Sequence, residues 1–223
     1  MAPRDFRSRL AKRATKAGLT LGDDLASGLS SYYELLARWN QKINLTALTD
    51  PDEAIDRLLL EPLAAARHLP LWTSRLLDVG SGGGSPAIPL KLAAPQVALT
   101  MVEVKARKSA FLREAIRQLG LQDVNVETGR YEELLTRPEL HDAHDAVSVR
   151  AVRIEPRSLA TLQAFLRPPG VFLLFRGAGG NGLQHVLPPL EFVQTVPLVE
   201  ATQSRLTIIA KRAIGSDLIR ASF

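Results

Sequence analysis

Apolar positions near the start of the chain recur at helical spacing. Leu25, Leu29, Tyr32, Tyr33, Leu36 and Trp39 fall three and four residues apart, on one face of a helix running to about Trp39. Residues 40–49 are polar and irregular. A second helix opens at Asp50 and Pro51, an acid suited to capping and a proline suited to the first turn, with Ile55, Leu58, Leu59 and Leu63 inward. From Arg75 the period changes. Apolar runs at 76–79, 98–103, 125–128, 146–149, 171–175, 192–198 and 206–210 read as strands. Helical patterns fill 86–93, 105–119 and 156–165, the second ending at Gly120, a residue suited to the left-handed position after a helix. This alternation predicts an α/β fold of Rossmann-like type, a mostly parallel seven-stranded sheet with helices on both faces. The last two strands lack a helix-sized spacer and predict an antiparallel hairpin at one edge. Residues 1–72 form a basic arm and helical cap, and residues 73–223 the sheet domain.

Composition narrows the class. The 223 residues suffice for one well-filled domain with an appendage, and 46% hydrophobic with 23% charged residues is ordinary for a soluble chain. No apolar run approaches the roughly 18 residues needed to span a bilayer. The start carries no short apolar core with a small-residue cleavage site, so a cytoplasmic protein is expected. Absence of cysteine removes disulfides, thiolate metal sites and cysteine nucleophiles. The net charge of +5 is concentrated at the start, where Arg4, Arg7, Arg9, Lys12, Arg13 and Lys16 face Asp5 alone. Such an arm suits phosphate backbones through counterion release; a solvated disordered start and an Arg-rich transit peptide are the other readings.

The sharpest motif is Asp78-Val79-Gly80-Ser81-Gly82-Gly83-Gly84-Ser85-Pro86, a buried strand running through a glycine-rich turn into a helix. Glycines permit positive φ and close approach of a ligand; alternatively the segment is only a tight turn. The dinucleotide spacing G-x-G-x-x-G fails at Ser85 counted from Gly80, and meets Ala87 counted from Gly82, which only the looser form accepts. Asp78 has no part in that fingerprint, yet a carboxylate there can bind the ammonium of an amino-acid end, directly or through water. S-adenosylmethionine has such an end and no pyrophosphate. Glu103 closes the second strand about 20 residues after Gly80, where an acid can accept from both ribose hydroxyls, unless it is merely a solvated strand end. Gly80, Gly82, Gly84, Ser85 and the loop carrying Tyr131 and Glu132, placed near an adenine, complete the expected cofactor shell; an ordinary strand-to-helix loop is the plain reading of the last.

Through these residues and others along the chain, the sequence resembles the small-subunit ribosomal RNA guanine-N7 methyltransferases of the glucose-inhibited division protein B type, over roughly residues 32–211. The marks are Trp39-Asn40 with Asn44-Leu45-Thr46, the turn from Asp78 to Gly82 with Pro86 and Ile88-Pro89-Leu90, Lys108 with Phe111-Leu112, Glu132, Ser148-Val149-Arg150-Ala151, Arg176-Gly177 and Arg205. The resemblance implies that Gly80, Ser85, Tyr131, Glu132 and Arg150 contact the cofactor or lie beside it. It also implies that Arg153, Arg176 and Arg205 belong to a basic surface facing ribosomal RNA or the small ribosomal subunit. The chain departs from the pattern in the second helix, where Arg57, Leu58, Glu61 and Pro62 stand for an Arg-His and an Asp-Ser, and also at Ala87 and Arg176.

Guanine N7 carries a lone pair and no proton, so it attacks a sulfonium methyl without a general base, and catalysis rests on placement and charge. Arg150 is the candidate catalytic residue, holding a phosphate or O6, since a cation on N7 would block attack. Its alternative is a structural ion pair. The Asn/Asp-Pro-Pro-aromatic motif of exocyclic amino methylation is replaced here by Ser148-Val149-Arg150-Ala151, and cytosine-C5 chemistry lacks its cysteine. His141 and His144 have a spacing usable by metals but sit in a polar acidic stretch, read as a solvated loop; His68 and His185 are solitary, so no metal is expected. A monomer is expected. The rival readings are a methyltransferase for a small molecule or protein, and a nucleotide- or RNA-binding module without catalysis.

Overall fold

The computed structural model describes residues 3–150, 156–177 and 186–212. Strands β1 (Arg75–Val79), β2 (Ala98–Glu103), β3 (Val124–Thr128), β4 (His144–Arg150), β5 (Leu166–Arg176), β6 (Leu190–Pro197) and β7 (Arg205–Lys211) form one sheet in the order β3-β2-β1-β4-β5-β7-β6. β1 to β5 pair in parallel, and β7 runs antiparallel between β5 and the edge strand β6. The predicted edge hairpin is therefore present. Chain order reverses between β1 and β4, which opens a crevice at the carboxyl ends of those two strands.

Successive residues of each strand enter opposite faces, and both faces are covered. Leu76, Leu99, Met101, Ala146, Val171 and Leu173 join one apolar cluster; Leu77, Val79, Val102, Val147, Val149, Phe172 and Leu174 join the other. This double burial is why the strands read as continuous apolar runs. α8 (Pro156–Leu162) and the 3₁₀ turn after it cover the second face, through Leu159, Leu162 and Phe165. α5 (Ala87–Ala93) and α6 (Ala106–Leu119) cover the first, the latter ending at Gly120 with φ +61° as its glycine requires. The short helix α7 (Tyr131–Leu134) follows β3.

The N-terminal helices belong to the first cluster. α1 (Pro3–Lys16) is a folded helix and not a solvated arm, because Phe6, Leu10 and Ala14 recur every four residues and are all buried. Its basic side chains are partly committed within the protein. Arg13 binds Asp52 at 2.9 Å and the buried Asp56 through Nε at 2.6 Å, Arg9 approaches Asp52 at 3.4 Å, and Arg7 donates to Ser27 at 2.7 Å. α2 (Asp23–Ile43) passes Trp39, the predicted end, and stops at Asn44, which takes φ +50°. Asn40 Oδ1 then accepts from the Thr46 amide at 2.8 Å and shapes the segment after it.

The second helix begins as predicted, with Asp50 accepting from the Glu53 amide at 2.8 Å and Pro51 in the first turn. It is not regular, however. After α3 (Pro51–Ala54) the chain makes a six-residue π segment (Ile55–Leu60) before α4 (Glu61–Ala66). Pro62 supplies a reason, since it lacks the amide that would bond the carbonyl four residues back, that of Leu58. The freed carbonyl finds its partner in the site.

Candidate active site

A cavity of about 540 Å³ opens at the crevice between β1 and β4. Its lining joins the glycine turn (Gly80, Ser81, Gly82, Gly83, Ser85) to Glu103, Lys108 and Arg150 from the sheet domain. The other wall is Tyr32, Leu36, Leu45, Thr46, Ala47, Leu48, Arg57 and Leu58 from the N-terminal helices. The volume and mixed lining suit a small ligand of nucleoside size.

The turn is fixed from below. The amides of Gly80 and Ser81 donate to the Val102 carbonyl at 2.9 and 3.0 Å, and Glu103 accepts from the Gly82 and Lys105 amides, both at 2.8 Å. Glu103 is thus no solvated strand end: it is buried, oriented by two backbone donors, and on the cavity wall. Gly80, Gly82 and Gly84 take φ of +77°, +54° and +89°. At Gly84, which lies off the cavity lining, the positive φ itself requires glycine, and a Cβ would also press on the Ile88 side chain at 2.6 Å. Gly83 meets the N-terminal helices. A Cβ there would stand 3.0 Å from Leu36 and 3.3 Å from the Leu45 carbonyl, while its own carbonyl accepts from the Tyr32 hydroxyl at 2.7 Å.

Asp78 lies beneath the turn, behind the lining and 1% exposed. Oδ1 accepts from Ser148 Oγ at 2.6 Å across the β1–β4 register, and Oδ2 has no partner among the described residues. Burial pushes this carboxyl up to about 6, against the opposing hydrogen bond from Ser148.

Arg150 ends β4 and is locked on three sides. It pairs with Glu61 of α4, donates to Ser85 Oγ at 3.0 Å, and stacks 5.2 Å from the centre of the Phe175 ring. Ser85 Oγ in turn donates to the Leu58 carbonyl at 2.8 Å, the acceptor that Pro62 leaves free. Burial lowers the Arg150 pKa and the charge of Glu61 opposes that. The ion pair that the sequence set against a substrate-holding role is thus present, and the same arginine lines the cavity.

Other sequence-predicted residues lie elsewhere. Tyr131 and Glu132 open α7, off the cavity lining, where Tyr131 packs against the second cluster. Arg176 and Arg205 face each other across β5 and β7, whereas Arg150 pairs in register with Phe175, one residue earlier, and so lies on the opposite face of the sheet. Arg153 and His185 lie outside the described residues. His144 is not in a solvated loop: it opens β4, buried, with Nδ1 3.2 Å from the Phe165 carbonyl. His141 Nε2 lies 2.9 Å from the Leu135 carbonyl. Among the described residues no group of three or more His, Cys, Asp or Glu is placed to hold a metal.

Sequence reasoning missed Tyr32, Leu36, Arg57 and Glu61 as site residues. Tyr32 reads as one more apolar position of α2, although a buried tyrosine hydroxyl needs a partner and so carried a signal. Glu61, an acid within the run Leu58-Leu59-Leu60-Glu61-Pro62-Leu63, carried one as well.

Comparison with known proteins agrees with this geometry. The family model described as "GidB: rRNA small subunit methyltransferase G" matches residues 26–186. The protein named ribosomal RNA small subunit methyltransferase G from Xylella fastidiosa strain 9a5c is 37% identical over 191 residues, covering 82% of this chain and 86% of that protein. The protein of the same name from Ralstonia nicotianae is 36% identical, covering 92% and 90%. Among solved structures, a SAM dependent methyltransferase from Aquifex aeolicus superposes with TM-score 0.56 at 15% identity, covering 76% of this chain and 97% of that one. The cyclase SpnF superposes with TM-score 0.56 at 19% identity, covering 85% and 93%. At such identities the likeness establishes the fold alone.

Proposed function

Because the chain belongs to the GidB family, rRNA small subunit methyltransferase G, we propose that it transfers the methyl group of S-adenosylmethionine to N7 of a guanine in small-subunit ribosomal RNA. One observation carries the reading. A buried carboxylate oxygen with no partner among the described residues (Asp78 Oδ2) and a carboxylate oriented by backbone amides (Glu103) flank a single glycine turn at a cavity of about 540 Å³.

The residues present fit the cofactor. Glu103 keeps lone pairs for ribose hydroxyls, and the glycine turn lets a nucleoside approach the backbone without a Cβ between. Asp78 Oδ2 is an acceptor for the ammonium, directly or through water, and such a partner would offset the cost of ionising a buried acid. When bound, the cofactor supplies an electrophilic sulfonium methyl.

Among the described residues of the wall, the usual groups that take a proton from a substrate are missing or engaged. Histidine and cysteine are absent from its lining, burial pushes the Tyr32 phenol far above its ordinary value while its hydroxyl serves Gly83, and Glu103 is held by amides. A ring nitrogen with a free lone pair needs no base, so N7 is the acceptor this lining favours. The locked Arg150 presents donors of fixed direction for O6 or a phosphate, leaving the N7 lone pair open. Tyr32, Leu36 and Leu45 give the cavity an apolar stretch of wall. Arg176 and Arg205, like charges set opposite each other, suit an anionic backbone that bridges them.

The test is transfer of labelled methyl to undermethylated small-subunit RNA and to whole small subunits, at several salt concentrations. Label in RNA, with substrate binding that weakens as salt rises, is expected. Normal cofactor binding with no label in RNA, or salt-insensitive substrate binding, would remove the ribosomal substrate and leave a methyltransferase for a small molecule or protein.

A further inference from the structure

The cavity wall poses an electrostatic problem for a cationic ligand. Arg57, Lys108 and Arg150 line it, against Glu103 as the carboxylate in the lining. A sulfonium adds positive charge to this wall. Arg57 is answered by Glu53 at 2.9 Å, outside the cavity. Arg150 is the most desolvated of the three, its side chain 16% exposed, so its field is the least screened.

The countercharge of Arg150 comes from behind the wall. Glu61 is 1% exposed, lies outside the lining, and stands on α4 beside the buried Leu59, Leu60 and Leu63. One of its oxygens binds the guanidinium, and the other, Oε1, has no partner among the described residues. The fold alone does not call for such a group, since a buried ion pair is commonly matched or bettered by apolar residues of similar size. Toward the cavity the pair does something an apolar pair would not. Arg150 keeps directed N–H donors, fixed by Ser85 and the Phe175 ring, while its net field is cancelled.

We propose that Glu61 is a specificity-determining residue, which neutralises Arg150 so that the cavity accepts a sulfonium beside a guanidinium. The inference rests on the reading of this cavity as the S-adenosylmethionine site. Pro62, the next residue, serves the same arrangement. By leaving the Leu58 carbonyl free for Ser85 Oγ–H, it turns the lone pairs of that hydroxyl toward Arg150. The start of α4 thus fixes both the charge and the direction of the guanidinium.

Two ligands isolate the effect. S-adenosylmethionine and S-adenosylhomocysteine differ by one methyl and its positive charge. Glu61→Gln keeps the side-chain volume and removes the countercharge. Titration calorimetry of the full chain with each ligand is expected to show the dissociation constant for S-adenosylmethionine rising about tenfold more than that for S-adenosylhomocysteine, which corresponds to about 1.4 kcal/mol. In the double variant Glu61→Gln/Arg150→Gln, with both charges gone, the ratio of the two constants is expected to stay within about threefold of the wild type. Equal weakening of both ligands by Glu61→Gln, or no change in either, would make Glu61 a packing residue and overturn the proposal. Should Glu61→Gln fail to fold in a thermal melt, the double variant decides, and a ratio displaced about tenfold from wild type overturns it. A wild-type protein that binds neither ligand would sink the cofactor reading itself, whereas normal wild-type binding with an unchanged ratio sinks only the role of Glu61.

Discussion

Asp78 is ionised at neutral pH at a cost to the fold, and the cost can be worked out. Its carboxyl is pushed from 3.8 to about 6 by burial, which the hydrogen bonds of Ser148 and Ser81 oppose only in part. Because the folded value lies above the unfolded one, this group favours the native state when protonated, and that advantage is lost as pH rises through about 6. A displacement of about two units at about 1.36 kcal/mol each makes the ligand-free protein about 3 kcal/mol less stable above pH 7 than it would be with a neutral group there. Asp78→Asn is a permanent stand-in for the protonated acid and keeps an acceptor for Ser148. Urea unfolding of ligand-free wild type and variant should find Asp78→Asn the relatively more stable protein at pH 7.5, with the gap narrowing by about 2 kcal/mol at pH 4.5. Static differences between amide and acid cancel when the two pH values are compared. The same variant should lose most of its affinity for S-adenosylmethionine, a case of stability yielded to binding. A gap that does not change with pH would refute the reasoning, as would undiminished cofactor affinity.

Four further outcomes follow from the packing and the charges. Gly83→Ala places a methyl 3.0 Å from Leu36 and 3.3 Å from a carbonyl that cannot yield easily, so thermal stability should fall by about 1–3 kcal/mol and calorimetric cofactor binding should weaken. Tyr32→Phe removes the donor to the Gly83 carbonyl and should cost about 1 kcal/mol in urea unfolding, with a weaker cofactor complex. Arg13→Met leaves the buried Asp56 without its arginine; a loss of about 3–5 kcal/mol in chemical unfolding is expected, and none if α1 were a loosely attached arm. Arg176→Gln and Arg205→Gln should each lower the salt slope of RNA binding by about one, while calorimetry finds cofactor affinity unchanged.

Most of the sheet was legible because most of its strands obey one rule. β1, β2, β4 and β5 are buried on both faces and so stand out as short apolar runs, β3 at the edge buries Val126 alone, and the missing helix between β6 and β7 gives the edge hairpin. Asp50, Pro51 and Gly120 were legible because capping and left-handed geometry depend on a few neighbouring atoms. The basic start misled because its charges are dense while its buried face consists of Phe6, Leu10 and Ala14, few enough to be overlooked. The π segment was hidden for another reason: Pro62 lies inside an otherwise helical pattern, and the pattern does not say whether the helix breaks, kinks or widens there. In the site, Asp78, the glycine turn and Glu103 lie near one another along the chain, whereas Tyr32, Glu61 and Arg150 meet only through tertiary packing. Their roles depend on which surfaces the sheet brings together, and local pattern does not encode that.

The most direct measurement is single-turnover methyl transfer from labelled S-adenosylmethionine to undermethylated small-subunit RNA, followed by digestion and nucleoside identification. Label in 7-methylguanosine at one site is predicted, with the rate at saturating S-adenosylmethionine independent of pH over the range where a catalytic base would titrate. Label in a methylated exocyclic amine, a pyrimidine or protein, or a rate that follows a single ionisation near neutrality, would contradict it.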